Sequence, residues 1–412
     1  VSNAVRLGAL LLAAAPLFAL AQSGHAPLAK NPTLDFDAVL AAALEYAPEA
    51  AESSVRRQQA DAYAAAGRSL LAGRPNLWLQ HYNDSPLDAT GQVETEYGVQ
   101  LPLWRPGERR ASQEYGARYN EQVALWQDAL KLDIAGRLRT ALADLHEAEV
   151  LLELERIATT TAEEVLRTSE MLFDAGALAR VEVMQSRHLL LEQQRRLYEA
   201  EATLVDSEIV YEYLTGLDER PATQHTEMQG SLDDISENHP LLRYLQSEVA
   251  ILDGAVRQGE ISAKGNPQLQ IASRRERGDR FTPYTDSVNL ALTIPIGGKS
   301  YVDAQTSGAR RDKVDAEVRY RQAHRELGRA LHDAEHELFI VRQALPLARE
   351  QAALGEERET LARDAFTQAE LTLPQVLLAV QEAHAARREL ALLEAREQRL
   401  IAEYNQLTGV LP

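Results

Sequence analysis

The strongest constraint on this chain is that it is written twice. Pro48 and Pro75 recur as Pro240 and Pro267, an offset of 192. Further along the offset is 193: Pro102 matches Pro295, Phe173 matches Phe366, Tyr211 matches Tyr404, and Leu214-Thr215-Gly216 matches Leu407-Thr408-Gly409. Residues 108–174 contain no proline and keep a helical pattern throughout. At 1.5 Å per residue that is ~100 Å of helix, far longer than a globular one. Ile134, Leu138, Ala141, Leu145, Ala148 and Leu152 step along it by alternate fours and threes, a coiled-coil seam. The seam recurs as Leu327, Leu331, Ala334, Leu338, Val341 and Leu345. Six positions displaced by one offset mark a tandem duplication.

Each copy also carries a pair of strand-like segments, at about 76–82 and 93–103 in the first and about 268–274 and 286–294 in the second. Val93, Thr95, Tyr97, Val99, Leu101 and Leu103 fall on one side of their segment, and Glu94, Glu96, Gly98 and Gln100 on the other. Val288, Leu290, Leu292 and Ile294 likewise alternate with Ser287, Asn289, Ala291 and Thr293. Strict alternation is a strand signal, and a tilted strand crosses a bilayer in ~9–11 residues. Loops at 83–92 and 275–284 complete two hairpins. The expected organisation is a signal peptide at 1–21, a first repeat at 22–216 (long helix 108–174, return helix 181–215), a linker at 217–239, and a second repeat at 240–412 (long helix about 300–368, return helix 374–408).

A formal charge of −19 and a pI near 5.1 argue against nucleic acid as a partner. With no Cys, a disulfide scaffold, a thiol nucleophile and a Cys-based zinc site are excluded. Arg6, the apolar run Leu7–Leu20 and the small-x-small site Ala19-Leu20-Ala21 read as a secretory signal. No other stretch is apolar enough to cross a membrane as a helix, a test that is nearly blind to barrel strands.

The element lengths fit one architecture. A helix at 48–73 and the return helix at 181–215, laid end to end, nearly match the long helix, so two short helices stack beside one long one with the hairpin at one end. Two hairpins give four strands, too few to close a barrel, and their apolar faces and edges need other subunits. Three copies give twelve strands, inside the range of outer-membrane barrels, whereas eight leave no useful pore. The fold class expected is mostly α with a transmembrane β-barrel. In that barrel the polar faces, Glu94, Glu96, Gln100, Asn289 and Thr293, line a lumen.

In this order and spacing the chain resembles the TolC family of outer-membrane efflux channels. The likeness rests on the duplication, on Leu101-Pro102-Leu103 and Ile294-Pro295-Ile296, on the tip segment Leu172-Phe173-Asp174-Ala175-Gly176, and on the Leu-Thr-Gly ends of both halves. It implies a homotrimer with a twelve-stranded barrel in outer-membrane lipid and a helical tunnel in the periplasm of a Gram-negative cell. It also implies docking to a periplasmic adaptor and, through it, to an inner-membrane RND or ABC pump. Family members often close the tunnel with acidic residues at the tip, where Asp174, Gly176, Glu182 and Glu370 are the candidates here. The second tip, Glu370-Leu371-Thr372-Leu373-Pro374, has no glycine. The compact length, the end at Pro412 and the run Arg105-Pro106-Gly107-Glu108-Arg109-Arg110 resemble the heavy-metal branch, which implies metal cations as cargo. Drugs or type I secreted polypeptides are the alternative cargo.

The chain is expected to be no enzyme and to need no cofactor or resident metal. His332-Asp333-Ala334-Glu335-His336 matches a zinc-peptidase pattern, but Leu331, Ala334 and Leu338 around it are seam positions, so a surface His pair is the better reading. Met171, Met184 and Met228 are too scattered to form a metal relay. Trp78 and Trp104 at the hairpin base suit either an interfacial girdle or ordinary packing. A structural periplasmic coiled coil is the remaining alternative, and it leaves the two hairpins without a purpose.

Overall fold

The computed structural model describes residues 27–412 apart from 86, 89, 232 and 233. The signal peptide expected at 1–21 lies outside the described residues. In chain order the elements are β1 (Ala29–Asn31), α1 (Phe36–Tyr46), α2 (Ala50–Arg68), β2 (Asn76–Asn83), β3 (Val93–Pro102), α3 (Glu108–Asp174) and α4 (Arg180–Thr215). There follow β4 (Glu219–Pro221), α5 (Pro240–Ser262), β5 (Gln268–Arg277), β6 (Thr285–Thr293), α6 (Lys299–Thr367) and α7 (Leu373–Leu407). The first long helix spans the residues expected for it. Most other boundaries lie within a residue of those expected, and three differences are larger. Pro48 precedes the N-cap Glu49 and stays outside α2, which ends at Arg68. The third strand runs on to Arg277, so its loop is shorter than 275–284. The linker contains β4, which pairs in parallel with β1.

These elements stack in three tiers of four with one common order. The sheet runs β2-β3-β5-β6, all antiparallel. Beneath it the upper helices pack α2-α3-α5-α6, and the lower ones α4-α3-α7-α6. Thus each long helix is flanked by two short stacked ones, as the lengths require. The seam explains why: Ile134, Leu138, Ala141, Leu145, Ala148 and Leu152 are all buried, as are Leu331, Ala334, Leu338, Val341 and Leu345. Only Leu327 is partly exposed. Burying one fully covered Leu or Ile is worth ~1.5–3 kcal/mol, so two such seams hold the helices far more firmly than helix propensity does.

The helix ends are built by repeated local chemistry. Thr215 Oγ1 donates to Tyr211 O at 2.8 Å and Thr408 Oγ1 to Tyr404 O at 2.9 Å. The following Gly216 and Gly409 turn out at φ 68 and φ 79, which is the left-handed C-terminal cap that glycine adopts without strain. This is the physical meaning of the duplicated Leu-Thr-Gly. At mid-height, β1, β4 and α1 wrap the shaft. Arg220, on β4, donates to Glu208 at 2.9 Å and to Glu149 at 2.8 Å, and Glu208 also accepts from Leu28 N at 3.1 Å. The linker is tied by Arg139, whose guanidinium holds Glu227 at 2.7 and 3.1 Å.

Candidate functional site

Two regions carry the features that function requires, the sheet and the opposite tip. In the sheet, register decides which side chains share a face. Leu77, Val99, Ile271 and Leu290 stand in one cross-strand row, and Leu79, Tyr97, Ser273 and Val288 in the next. This apolar face is open: Leu77 is 82% exposed, Val288 80%, Leu79 72% and Leu290 69%. Adjacent rows so rich in uncovered apolar side chains are stable only against lipid or another apolar surface.

The opposite face collects Glu94, Glu96, Gln100, Asn289 and Thr293, so the register brings all five lumen candidates together. It is polar and partly self-covering. Glu94 accepts from Arg274 at 2.9 Å, Arg274 also lies 2.5 Å from Glu276, and Asn289 Nδ2 donates to Glu96 at 3.1 Å. Gln100 faces Gln270, and Thr293 faces Gln268. Arg274 and Glu276 belong to this face, although the sequence reading did not select them. The alternation Gln268, Gln270, Ala272, Arg274, Glu276 carries the signal, one that a strand ended at 274 truncates. Trp78 lies on this polar side, opposite Gly98, away from the exposed aliphatic rows. Trp104 donates its indole N–H to Ser69 O at 3.1 Å, so it packs at the base of the sheet.

The hairpins of the two repeats are locked together by the run that follows β3. Arg105 donates to Lys264 O at 2.9 Å, to Pro295 O at 2.8 Å and to Gly265 O. Glu108, buried, accepts from Arg105 N at 2.9 Å and from Asn266 Nδ2 at 2.6 Å. Gly98 lets β3 and β5 meet, since a Cβ there would sit 2.5 Å from Ile271 O and 2.6 Å from Ala272 Cβ.

At the far end, α3 turns into α4 and α6 into α7. Gly176 takes φ 76 in the first turn. Its counterpart is Ala369, which adopts φ 58 and supplies the left-handed residue that the second tip lacks as glycine. Asp174 and Glu370 are exposed. Glu182 caps α4 by accepting from Ala179 N at 3.0 Å. Val165, Phe366, Leu373, Val376 and Val380 form a shared core that joins the two turns, and Arg363 pairs with Glu164 across it.

His332 and His336 are exposed on α6. Among the described residues no group of three or more His, Asp or Glu is placed to hold a metal, and no helix is long and apolar enough to cross a membrane.

A two-faced sheet of four strands on a shaft of long antiparallel helices is also the fold of several solved outer-membrane proteins. Among solved structures, the outer membrane protein VceC from Vibrio cholerae matches 91% of this chain and 96% of its own, at 14% identity and a TM-score of 0.73. CusC, described for its transmembrane channel formation, matches over 94% and 95% at 13% identity and 0.72. The CmeC outer membrane channel of Campylobacter jejuni matches over 99% and 93% at 17% identity and 0.72. No protein-family model and no curated protein matches the chain.

Proposed function

We propose that the chain is the outer-membrane exit duct of a tripartite efflux system. Three copies close a twelve-stranded barrel, and their helices form a periplasmic tunnel. An adaptor docks at the tip and links the duct to an inner-membrane RND or ABC pump, which supplies the energy. The observation that carries this reading is the common order of the three tiers. Each tier ends in uncovered edges, β2 and β6 above, α2 or α4 and α6 below. A single closure operation therefore satisfies sheet and helices together, because a heterologous contact repeated around an axis generates a ring. The apolar face then meets lipid, and the face with Glu94, Glu96 and Glu276 meets the aqueous path.

The cargo proposed is heavy-metal cations, for which an acidic lumen is electrostatically suited. Drugs and secreted polypeptides remain the competing cargo. Purified protein should run as a heat-modifiable trimer from the outer-membrane fraction and conduct in planar bilayers; a soluble periplasmic dimer without conductance would sink the channel reading. Susceptibility of a deletion strain to Co, Zn, Cd and Cu beside a drug panel separates the cargo classes.

A further inference from the structure

The exposed aliphatic face of the sheet ends abruptly at the edge farthest from the shaft. Beyond the row Leu79, Tyr97, Ser273 and Val288, the next row is His81, Thr95, Arg275 and Asp286, and the one after it holds Asn83, Val93 and Arg277. Arg275 and Arg277 therefore project from the same side as the aliphatic rows. From Pro267, at the foot of this face, Arg277 is ten residues away. That is ~34 Å of strand, or ~26 Å of height at the usual barrel tilt. It matches the full depth of the ~25 Å apolar band of an outer-membrane barrel. At this level a guanidinium reaches the headgroups while its stem stays on apolar surface.

The two cations are held in place. Tyr284 stands between them, its ring centroid 4.9 Å from the Arg275 guanidinium and 5.0 Å from that of Arg277. Arg277 is fixed further by donating its Nε–H to Gly91 O at 3.0 Å. Arg275 has one carboxylate neighbour, Asp286 at 3.8 Å, and with the two side chains 61% and 70% exposed, water screens most of that attraction. Among the described residues no carboxylate pairs with Arg277, or with exposed Arg280 in the loop after β5. Other charges at this end are engaged or lie elsewhere. Asp84 accepts from Thr90 and from Gly91 N, and Asp279 accepts from Phe281 N at 2.7 Å and Thr282 N at 2.8 Å. Asp88 is exposed in the first loop, His81 is tied to Thr95 at 2.9 Å, and Glu94, Arg274 and Glu276 belong to the opposite face.

The duplication separates this pair from a general polar rim. At the offset of 192, Leu269 matches Leu77 and Ile271 matches Leu79, so the aliphatic foot of the strand is kept in both copies. Arg275 and Arg277 match Asn83 and Ser85, so the cations belong to the second hairpin alone. Side chains two residues apart on one strand face stand ~7 Å apart. Two guanidinium forks at that spacing suit the oxygens of a phosphate group. The anion available at the water boundary of a lipid-facing surface is a phosphorylated headgroup. Because the shaft leaves the other end of the sheet for the periplasm in the channel reading, the leaflet at Arg277 is the outer one.

We propose that Arg275 and Arg277, steadied by Tyr284, form a clamp for the phosphorylated sugar headgroup of an outer-leaflet glycolipid, one clamp per protomer. The clamp rests on the channel reading above, which sets the leaflet that the two arginines meet.

Native mass spectrometry of the full-length protein in detergent, with bisphosphorylated lipid A as the probe, tests this. The unaltered chain should retain lipid A severalfold more strongly than the same glycolipid stripped of its phosphates, and equimolar inorganic pyrophosphate should not displace it. Arg275→Gln combined with Arg277→Gln should lower retention severalfold, and the corresponding pair of Lys substitutions should recover part of it. Arg310→Gln with Arg311→Gln, on the shaft, should change nothing. Equal retention of the phosphate-free glycolipid, a comparison that needs no variant, overturns the clamp, as does unchanged retention by the double Gln variant. Displacement by pyrophosphate overturns the lipid assignment in favour of a free-phosphate site. Trimers recovered from the outer-membrane fraction that show no phosphate preference remove the clamp and leave the channel; absence of such trimers removes the channel reading and the clamp with it.

Discussion

Two residues show how single positions set local stability. Ala369 holds φ 58 where its duplicate Gly176 holds φ 76. A left-handed alanine costs ~1–2 kcal/mol that glycine does not pay. Ala369→Gly should slow amide exchange around the second tip, and Gly176→Ala should speed it around the first, each by about 1 kcal/mol of local opening energy. Glu227 is the second case. Burial works to raise its pKa, but hydrogen bonds from His225, Arg139 and Asn405 outweigh burial and lower it from 4.5 to about 2. A depressed carboxylate contributes stability that is complete above the unfolded pKa and is lost as pH falls toward the folded one. The contribution is on the order of 3 kcal/mol at neutral pH, lost between pH ~4.5 and ~2. In acid unfolding, Glu227→Gln should flatten that limb. At pH 7 it should cost ~3–5 kcal/mol, because the buried Arg139 guanidinium loses its charge partner.

Among the elements, the joint between sheet and shaft depends on a few contacts. Arg105 donates to three carbonyls at the base of the second hairpin, although it follows the first. Arg105→Ala should lower the heat-dissociation midpoint of the assembly, with a loss on the order of 2–4 kcal/mol. Arg105→Lys should restore little, since an ammonium cannot span the same fork of acceptors. Gly98→Val should act more severely. Its side chain would occupy the space of Ile271 O and Ala272, so β3 and β5 would part and folded trimers should be absent from the outer-membrane fraction. The helices tolerate more, because each long seam distributes its burial over many residues.

The whole molecule is organised by its edges. A four-stranded sheet with open ends and an exposed aliphatic face is unstable in water, and the helical tiers end in uncovered faces in the same order. In the proposed trimer, closure of all three tiers by one operation makes the protomer a third of a tube. On the face proposed to line the lumen, Arg274 is held among Glu94, Glu96 and Glu276, so this cation moderates the acidic excess there. Glu94→Lys and Glu96→Lys should shift single-channel conductance or reversal potential away from cations while trimers persist. Failure of trimers instead would invert the assignment of the two faces.

The sequence by itself determined the duplication, the two long helices, their seams, the two hairpins and the two-faced polarity of the strands at 93–103 and 286–294. All of these are periodic properties, written by neighbours within a few turns or a few residues. Even the absent glycine of the second tip was legible, although Ala369 as its replacement was not, since backbone strain leaves no mark on composition. Tertiary structure alone decided what long-range pairing controls. It joined β3 to β5 across the repeats, drew β1 beside β4 within the expected linker, and placed Arg274 among the carboxylates of the polar sheet face. It also brought Arg105 beneath the second hairpin and Arg139 onto Glu227. Each joins segments far apart in the chain, where the choice of partner depends on shape and charge in three dimensions, and no local period records it.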